Sequence, residues 1–366
     1  MKFTCTQENL LRGISQTAPI AGRNSQLPIL ANVLLHTQQN TLVLTSTDLE
    51  IGVRTVVGGK MGEEGSCAIS AKKLFEYVQQ LPKTHPITIE KKERTVIVST
   101  KGFTAQFSSA DPEEYPLLPE KSATDGITIS STVLCEAIAS TLFAATREET
   151  RPEIRSVILS WRDGGLHVAA TDSFRLAEYT ALTPSVREVS VLLPLSSAQE
   201  VARLFAQVGD VTVTPHENYV SFESSHIEVT SRLVDGVYPK YEDIIPTTHT
   251  TEVRINRDEF SRALKTISVF LPRDSKRVSL SIRPSEGELT ARVGGGENGE
   301  GEVRCEIEGT GDDIDVLMNV QYLLEGIAHI AGDVCEGYFS GKHEPVVFRR
   351  HSKEDAYVYV VMPIQV

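Results

Sequence analysis

The sequence predicts an α+β chain of three tandem domains, each with two helices packed on antiparallel sheets. Three observations carry this expectation. A strand–cap–helix opening recurs at a near-constant spacing, a second amphipathic helix follows in each copy, and the remaining segments alternate apolar and polar residues between short polar turns. Short turns allow antiparallel neighbours only, because parallel strands need long crossovers.

The openings are FTCTQENLLRGIS from Phe3, ITISSTVLCEAIA from Ile127 and VRINRDEFSRALK from Val253 (127 − 3 = 124; 253 − 127 = 126). A repeat of this length is a whole domain rather than a solenoid unit. Thr6, Ser130 and Asn256 stand where an N-cap side chain satisfies the orphan N–H groups of a helix start, and Asn256 with Glu259 resembles a capping box. The pairs Leu10/Ile14, Leu134/Ile138 and Phe260/Leu264 sit at i, i+4, so each helix has one buried face. The second helices are expected from Ser70, Leu195 and Asn319. Hairpins are expected around Gln38-Gln39-Asn40 and Asp163-Gly164-Gly165, and Pro-rich linkers at 111–126 and 235–250. The stretch AATDSFRLA (169–177) has a counterpart in TSTDLEIGV (45–53), which shares Thr-Asp at an offset of 124 (171 − 47). The second copy carries Phe174 and Arg175 where the first has acidic or neutral residues, which marks it as the place where the copies diverge towards function.

Composition narrows the function. At 366 residues the chain exceeds one core, and 40% apolar with 23% charged residues is ordinary for a globular protein. No apolar run approaches the roughly 18 residues of a membrane span, and the N-terminus lacks an apolar signal region, so a cytoplasmic protein is expected. Five cysteines with no C-x-x-C pair read as free buried thiols. A net charge of −13 argues against a protein coated in nucleic acid, though not against a local basic surface.

No catalytic or metal constellation emerges. The run Gly294–Gly299 matches G-x-G-x-x-G, but an alternating strand follows it where a dinucleotide site needs a helix, so it reads as a hairpin loop. Gly58-Gly59-Lys60 lacks the P-loop context. The nine histidines show no metal spacing, and His167, Asp172 and Ser173 are close only because one strand and its turn carry them. Neither catalysis nor a cofactor is expected, which leaves binding surfaces. One is a basic set on the helices: Arg12, Lys72, Lys73, Arg203, Arg257, Arg262 and Lys265. The other joins the Thr171–Leu176 turn, Tyr238-Pro239 and the apolar end at Val360–Ile364, and suits a peptide groove.

On these residues the chain resembles the bacterial β sliding clamps, the processivity subunits of DNA polymerase III. The likeness runs through the MKF start, LPIL at Leu27–Leu30, TDLE at Thr47–Glu50, TRPEIRSV at Thr150–Val157, TDSFRLA, VDGVYPKY at Val234–Tyr241 and VVMPIQV. It implies clamp domains at 1–124, 125–250 and 251–366, and a head-to-tail homodimer that forms a ring with helices inside. It also implies sequence-independent binding of double-stranded DNA, and partners in the replicative polymerase subunit, the clamp loader and other clamp-motif proteins. The family's peptide pocket maps onto Ile154, Thr171, Ser173, Phe174, Arg175, Leu176, Pro239, Ile244, Pro345, Val346, Val360, Met362, Pro363 and Ile364, with Arg175 expected as a charged donor at the rim. Arg23 matches a DNA-touching position. The expected subunit seam pairs Gly102–Ser108 with the Ser268–Leu271 region, anchored by Phe107, Phe270 and Leu271. Many members carry Gly-His at Ser173-Phe174, some carry a basic residue at Asp243, and many end in Met-Arg-Leu, so the preferred peptide is expected to differ. An enzyme with a site formed across domains, and a clamp-like scaffold that has lost DNA loading, are the rival classes.

Overall fold

The computed structural model describes residues 1–23, 26–119, 126–148, 150–183, 188–296, 299–351 and 355–365. Its contacts divide the chain into two compact units, Met1–Thr132 with Arg203–Leu233, and Val133–Ala202 with Val234–Val366. The middle repeat is therefore shared between the units. The cause lies in the sheets: strand Ile227–Arg232 of the middle repeat pairs with Ile51–Gly58 of the first, and Arg175–Leu182 of the middle repeat pairs with Asp355–Val361 of the third.

Six helices are present among the described residues, two per repeat as expected: α1 (Gln7–Thr17), α2 (Ala71–Gln80), α3 (Ser131–Ala139), α4 (Leu195–Leu204), α5 (Arg257–Ile267) and α6 (Val320–Ile327). In the first unit α1 starts where the Thr6 hydroxyl accepts from Asn9 N–H, and it buries Leu10, Gly13, Ile14 and Thr17. Gly13 allows helix and sheet to approach closely, since a Cβ there would lie 2.6 Å from Val57 Cγ2. The Gln7 amide donates to the carbonyl of Val78, which ties α1 to α2. Below them lie a five-stranded sheet, whose last strand is Phe103–Ser108, and an eight-stranded sheet containing the Ile51–Gly58/Ile227–Arg232 pair.

The second unit is built on a twelve-stranded antiparallel sheet in which Arg175–Leu182 and Asp355–Val361 lie side by side as the fourth and fifth strands. Asn256 caps α5 by accepting from Glu259 N–H, and Asn319 caps α6 by accepting from Gln321 and Tyr322. Leu176 faces Val360 in register, and both belong to a buried cluster with Ala169, Leu192, Tyr238, Tyr241 and Val347. The glycine-rich stretch closes a hairpin, with Gly296 paired to Gly299; Glu297 and Asn298 lie outside the described residues, as does the linker part 120–125.

All five cysteines are free and buried. Burial pushes the Cys5, Cys67 and Cys335 thiols up to about 12 and those of Cys135 and Cys305 to about 11. They therefore stay protonated and unreactive near neutral pH. Among the described residues no cluster of metal-ligating side chains occurs, and no helix is long and apolar enough to cross a membrane.

Candidate functional site

The shared Thr-Asp dipeptide is a turn-building device. In the second unit, Thr171 Oγ1 donates to the carbonyl of Arg175 at 2.7 Å and accepts from Ser173 N–H. Asp172 Oδ1 accepts from the N–H groups of Phe174 and Arg175 at 2.9 and 3.0 Å. The first unit repeats every bond: Thr47 Oγ1 with Ile51 and Leu49, and Asp48 Oδ1 with Glu50 and Ile51. Each turn drives its third residue into the left-handed region, Leu49 at φ 78 and Ser173 at φ 77. Such positions are strained for non-glycine residues and hold only where the surroundings over-determine them. Side-chain capping of three successive backbone groups supplies that constraint.

Arg175, expected as a charged donor at the rim, instead uses its donors inside the chain. Its side chain is 10% exposed. Nε donates to Asp172 Oδ2 at 2.9 Å, Nη2 to the carbonyl of Phe143 at 2.7 Å, and Nη1 to Glu325. The guanidinium also lies 4.2 Å from the ring centroid of Tyr322, a cation–π contact. Burial works to raise the Glu325 carboxyl, but hydrogen bonds from Arg175 and Gln321 outweigh it and hold the carboxyl below its ordinary value. Arg175 is thus a cross-tie that locks the turn to α6.

Beside the turn lies a cavity of about 570 Å³, lined by Ser173, Phe174, Asn319, Tyr322, Met362, Pro363, Ile364 and Gln365. The chain leaving strand Asp355–Val361 is pinned there: Met362 N–H donates to Phe174 O at 2.9 Å and Ile364 N–H to Leu317 O at 2.7 Å. Five of the expected groove residues, Ser173, Phe174, Met362, Pro363 and Ile364, line this cavity. Thr171 holds the turn, and buried Leu176 and Val360 belong to the cluster beneath it. Ile154 and Val346 are buried, Pro239 and Pro345 half-buried and Ile244 exposed, and none of these lines the cavity. Sequence reasoning missed Asn319, Tyr322 and Gln365. Asn319 was legible as a helix cap, but which loop that cap faces is a tertiary fact. A larger cavity of about 660 Å³ in the first unit lies against one sheet face, where Arg54 is neutralised by Glu228 at 2.8 Å. It lacks the pinned turn and strand exit, so the smaller cavity is the better site.

Comparison with known proteins decides the family. Models of the DNA polymerase III beta subunit match end to end: its N-terminal domain at residues 1–119, its central domain at 128–240 and its C-terminal domain at 242–365. The chain belongs to the bacterial β sliding clamps. The beta sliding clamp of Synechococcus elongatus is 29% identical, with 100% of this chain and 99% of that protein covered. That of Pseudomonas aeruginosa is 28% identical, with full coverage of both. A crystal structure of the Pseudomonas aeruginosa clamp bound to griselimycin superposes with a TM-score of 0.94 at 26% identity over the whole of both chains. The family is one of non-catalytic processivity factors, and the clamp is built of three tandem clamp domains.

The clamp's remaining predicted residues divide by environment. Arg12 on α1, Lys72 and Lys73 on α2, Arg203 on α4, and Arg262 and Lys265 on α5 are exposed, as is Arg23. Arg203 also donates to the carbonyls of Ser15 and Gln16 at the end of α1, and Arg23 donates to Pro19 O. Arg257 is largely committed elsewhere, with two donors on Asp258 and a third on the carbonyl of Ile330. Phe107 is half-buried against the first core, its ring 5.9 Å from that of Tyr77. Phe270 packs on Gly301, where a Cβ would come within 2.6 Å of its ring, and Leu271 is half-buried directly after the short turn Ser268–Phe270.

Proposed function

We propose that two copies of this clamp pair head to tail and encircle duplex DNA, while the Thr171–Leu176 groove captures short apolar segments of the replicative polymerase, the clamp loader and other clamp-motif proteins. The observation that carries the ring is the pair of internal seams. Consecutive repeats join by antiparallel pairing of a last strand with an inner strand, Val229 opposite Val53 and Tyr359 opposite Ala177. Phe103–Ser108 is the corresponding last strand of the first repeat and ends its sheet. The corresponding inner strand of the third repeat is Gly299–Gly311 rather than the expected Ser268–Leu271 region, which forms a short turn with no strand to pair; among the described residues, segment 299–306 of that strand pairs on one side only, with Glu288–Gly296. A second copy supplies the missing partner, which hides two edges that would otherwise invite aggregation. Carrying the internal registers over sets Ala105 opposite Gly301 and Phe103 opposite Val303, with Phe270 packed beside the seam.

Domain boundaries at 1–124, 125–250 and 251–366 follow the repeat. The clamp acts in the cytoplasm, where the chromosome is copied. Its exposed helix cations, Arg12, Lys72, Lys73, Arg203, Arg262 and Lys265, together with Arg23, attract phosphates diffusely within a chain of net charge −13. Binding to linear duplex then falls near the non-specific range of roughly 10⁻⁴ to 10⁻⁶ M, and retention on circular DNA is topological. The test loads the clamp onto nicked circular DNA with a compatible loader, raises the salt, then linearises. Retention on the circle and loss after cutting are expected. Equal loss from both forms at high salt, or a monomer by light scattering at micromolar concentration, refutes the ring.

A further inference from the structure

In the second unit Tyr241, on the linker, is 2% exposed and lies on the sheet that carries Arg162 and Glu178. Its hydroxyl accepts from Arg162 Nη2 at 3.0 Å and donates to Glu178 Oε1 at 2.9 Å. The positions equivalent to Arg162, His167 and Glu178, shifted by 124, are Gln38, Val43 and Arg54, and all three line the cavity of about 660 Å³ in the first unit. That cavity therefore sits where the second unit holds its tyrosine. It stays open because Tyr241 aligns with Leu118 (241 − 118 = 123, as for Tyr238 and Tyr115), and Leu118 turns instead onto Gly52, 2.3 Å from where a Cβ would stand. The cavity nevertheless keeps an arginine and a glutamate, Arg54 and Glu228, paired at 2.8 Å across neighbouring strands with Glu228 7% exposed. We propose that this cavity is a docking site for a tyrosine side chain carried on an extended segment of another protein, with Arg54 donating to the phenol oxygen and Glu228 accepting from its O–H.

A phenol hydroxyl both donates and accepts, so it suits an Arg–Glu pair whichever strand carries which member. Phenylalanine would fill the same space but would leave the hydrogen-bonding capacity of that pair unused. Leu117, 93% exposed, belongs to the same lining and is a large apolar side chain that such a segment would cover. The volume is that of an ordinary ligand site and exceeds one ring, which leaves room for a residue beside the tyrosine. The site belongs to the first unit and owes nothing to the Thr171–Leu176 groove of the second.

The probe is a fluorescein-labelled peptide of the linker sequence Val237–Ile244, VYPKYEDI, which presents Tyr241 in its own flanks. The tethered copy keeps its place in the second unit by effective concentration, so the free peptide reports on the open cavity. Fluorescence anisotropy on the full chain is expected to show saturable binding at one site per chain. Phe in place of the peptide's Tyr241 should weaken binding about three- to tenfold, as loss of the hydroxyl's hydrogen bonds requires, and Ala there should remove it. In the protein, Leu117→Asp, at an exposed position, should weaken binding about fivefold or more, and Val56→Trp, which fills the cavity from its lining, should abolish it. Absence of saturable binding, equal binding of the Phe peptide, or unchanged affinity in Leu117→Asp overturns the proposal.

Discussion

Replacing Arg175 with Met tests whether the turn is locked to α6 by charge or only by packing. The substitution keeps most of the apolar stem and removes the guanidinium. It leaves Asp172, at 13% exposure, and Glu325, at 33%, without their shared cation, and it frees the carbonyl of Phe143. Breaking a buried ion pair costs about 3–5 kcal/mol, and the partial exposure of Glu325 screens its share, so about 2–4 kcal/mol is expected. Trp161 is the sole tryptophan and is fully buried in the same unit, so its fluorescence during urea unfolding reports on the right part of the molecule. The pH dependence gives a second readout. The folded Glu325 carboxyl lies below its ordinary 4.5, so its stabilisation is complete above about pH 4.5 and is lost as the pH falls through the folded value. Arg175→Met should remove that acid-side slope along with the stability. A loss below about 1 kcal/mol with the slope intact would show that packing, not the ion pair, holds the turn.

Two further outcomes follow from the same geometry. Asp172→Ala strips two N–H caps and one ion pair from the groove turn, and Asp48→Ala strips the equivalent two caps in the first unit. Asp48→Ala should lose about 1–2 kcal/mol and Asp172→Ala about 3–5 kcal/mol, and only the Asp172 variant should weaken binding of a labelled apolar peptide by more than about tenfold in fluorescence anisotropy. The five thiols, with pKa values raised to about 11–12 by burial, should resist a thiol reagent at pH 8 in native protein and react fully in denaturant. Rapid native labelling of any one of them would mean that its core opens readily.

The helices were legible because each advertises itself locally. A cap residue followed by an i, i+4 apolar pair at Thr6, Leu10 and Ile14, and again at Asn256, Phe260 and Leu264, can be read without knowing what the helix packs on. The Thr-Asp motif was legible as a repeat marker, and its reason emerged only with the bonds that Thr171 and Asp172 make to the backbone. The role of Arg175 was not legible, because its partners Phe143 and Glu325 lie 32 and 150 residues away in sequence. An arginine after a turn reads as exposed until those partners are known. Asn319 and Tyr322 escaped for the same reason: helix periodicity says that they begin α6, not that they face the strand exit at Met362–Ile364.

The strand pairing that crosses repeat boundaries bears on how this chain can be dissected. Sequence invites a cut near residue 124, yet Ile51–Gly58 finds its outer partner in Ile227–Arg232, beyond that cut. A fragment ending there would present a bare, Val-rich strand edge, and such an edge seeks another chain to pair with. The first and second repeats each pair a strand with the repeat that follows, so shuffling one between relatives would require exchanging the neighbouring strand as well.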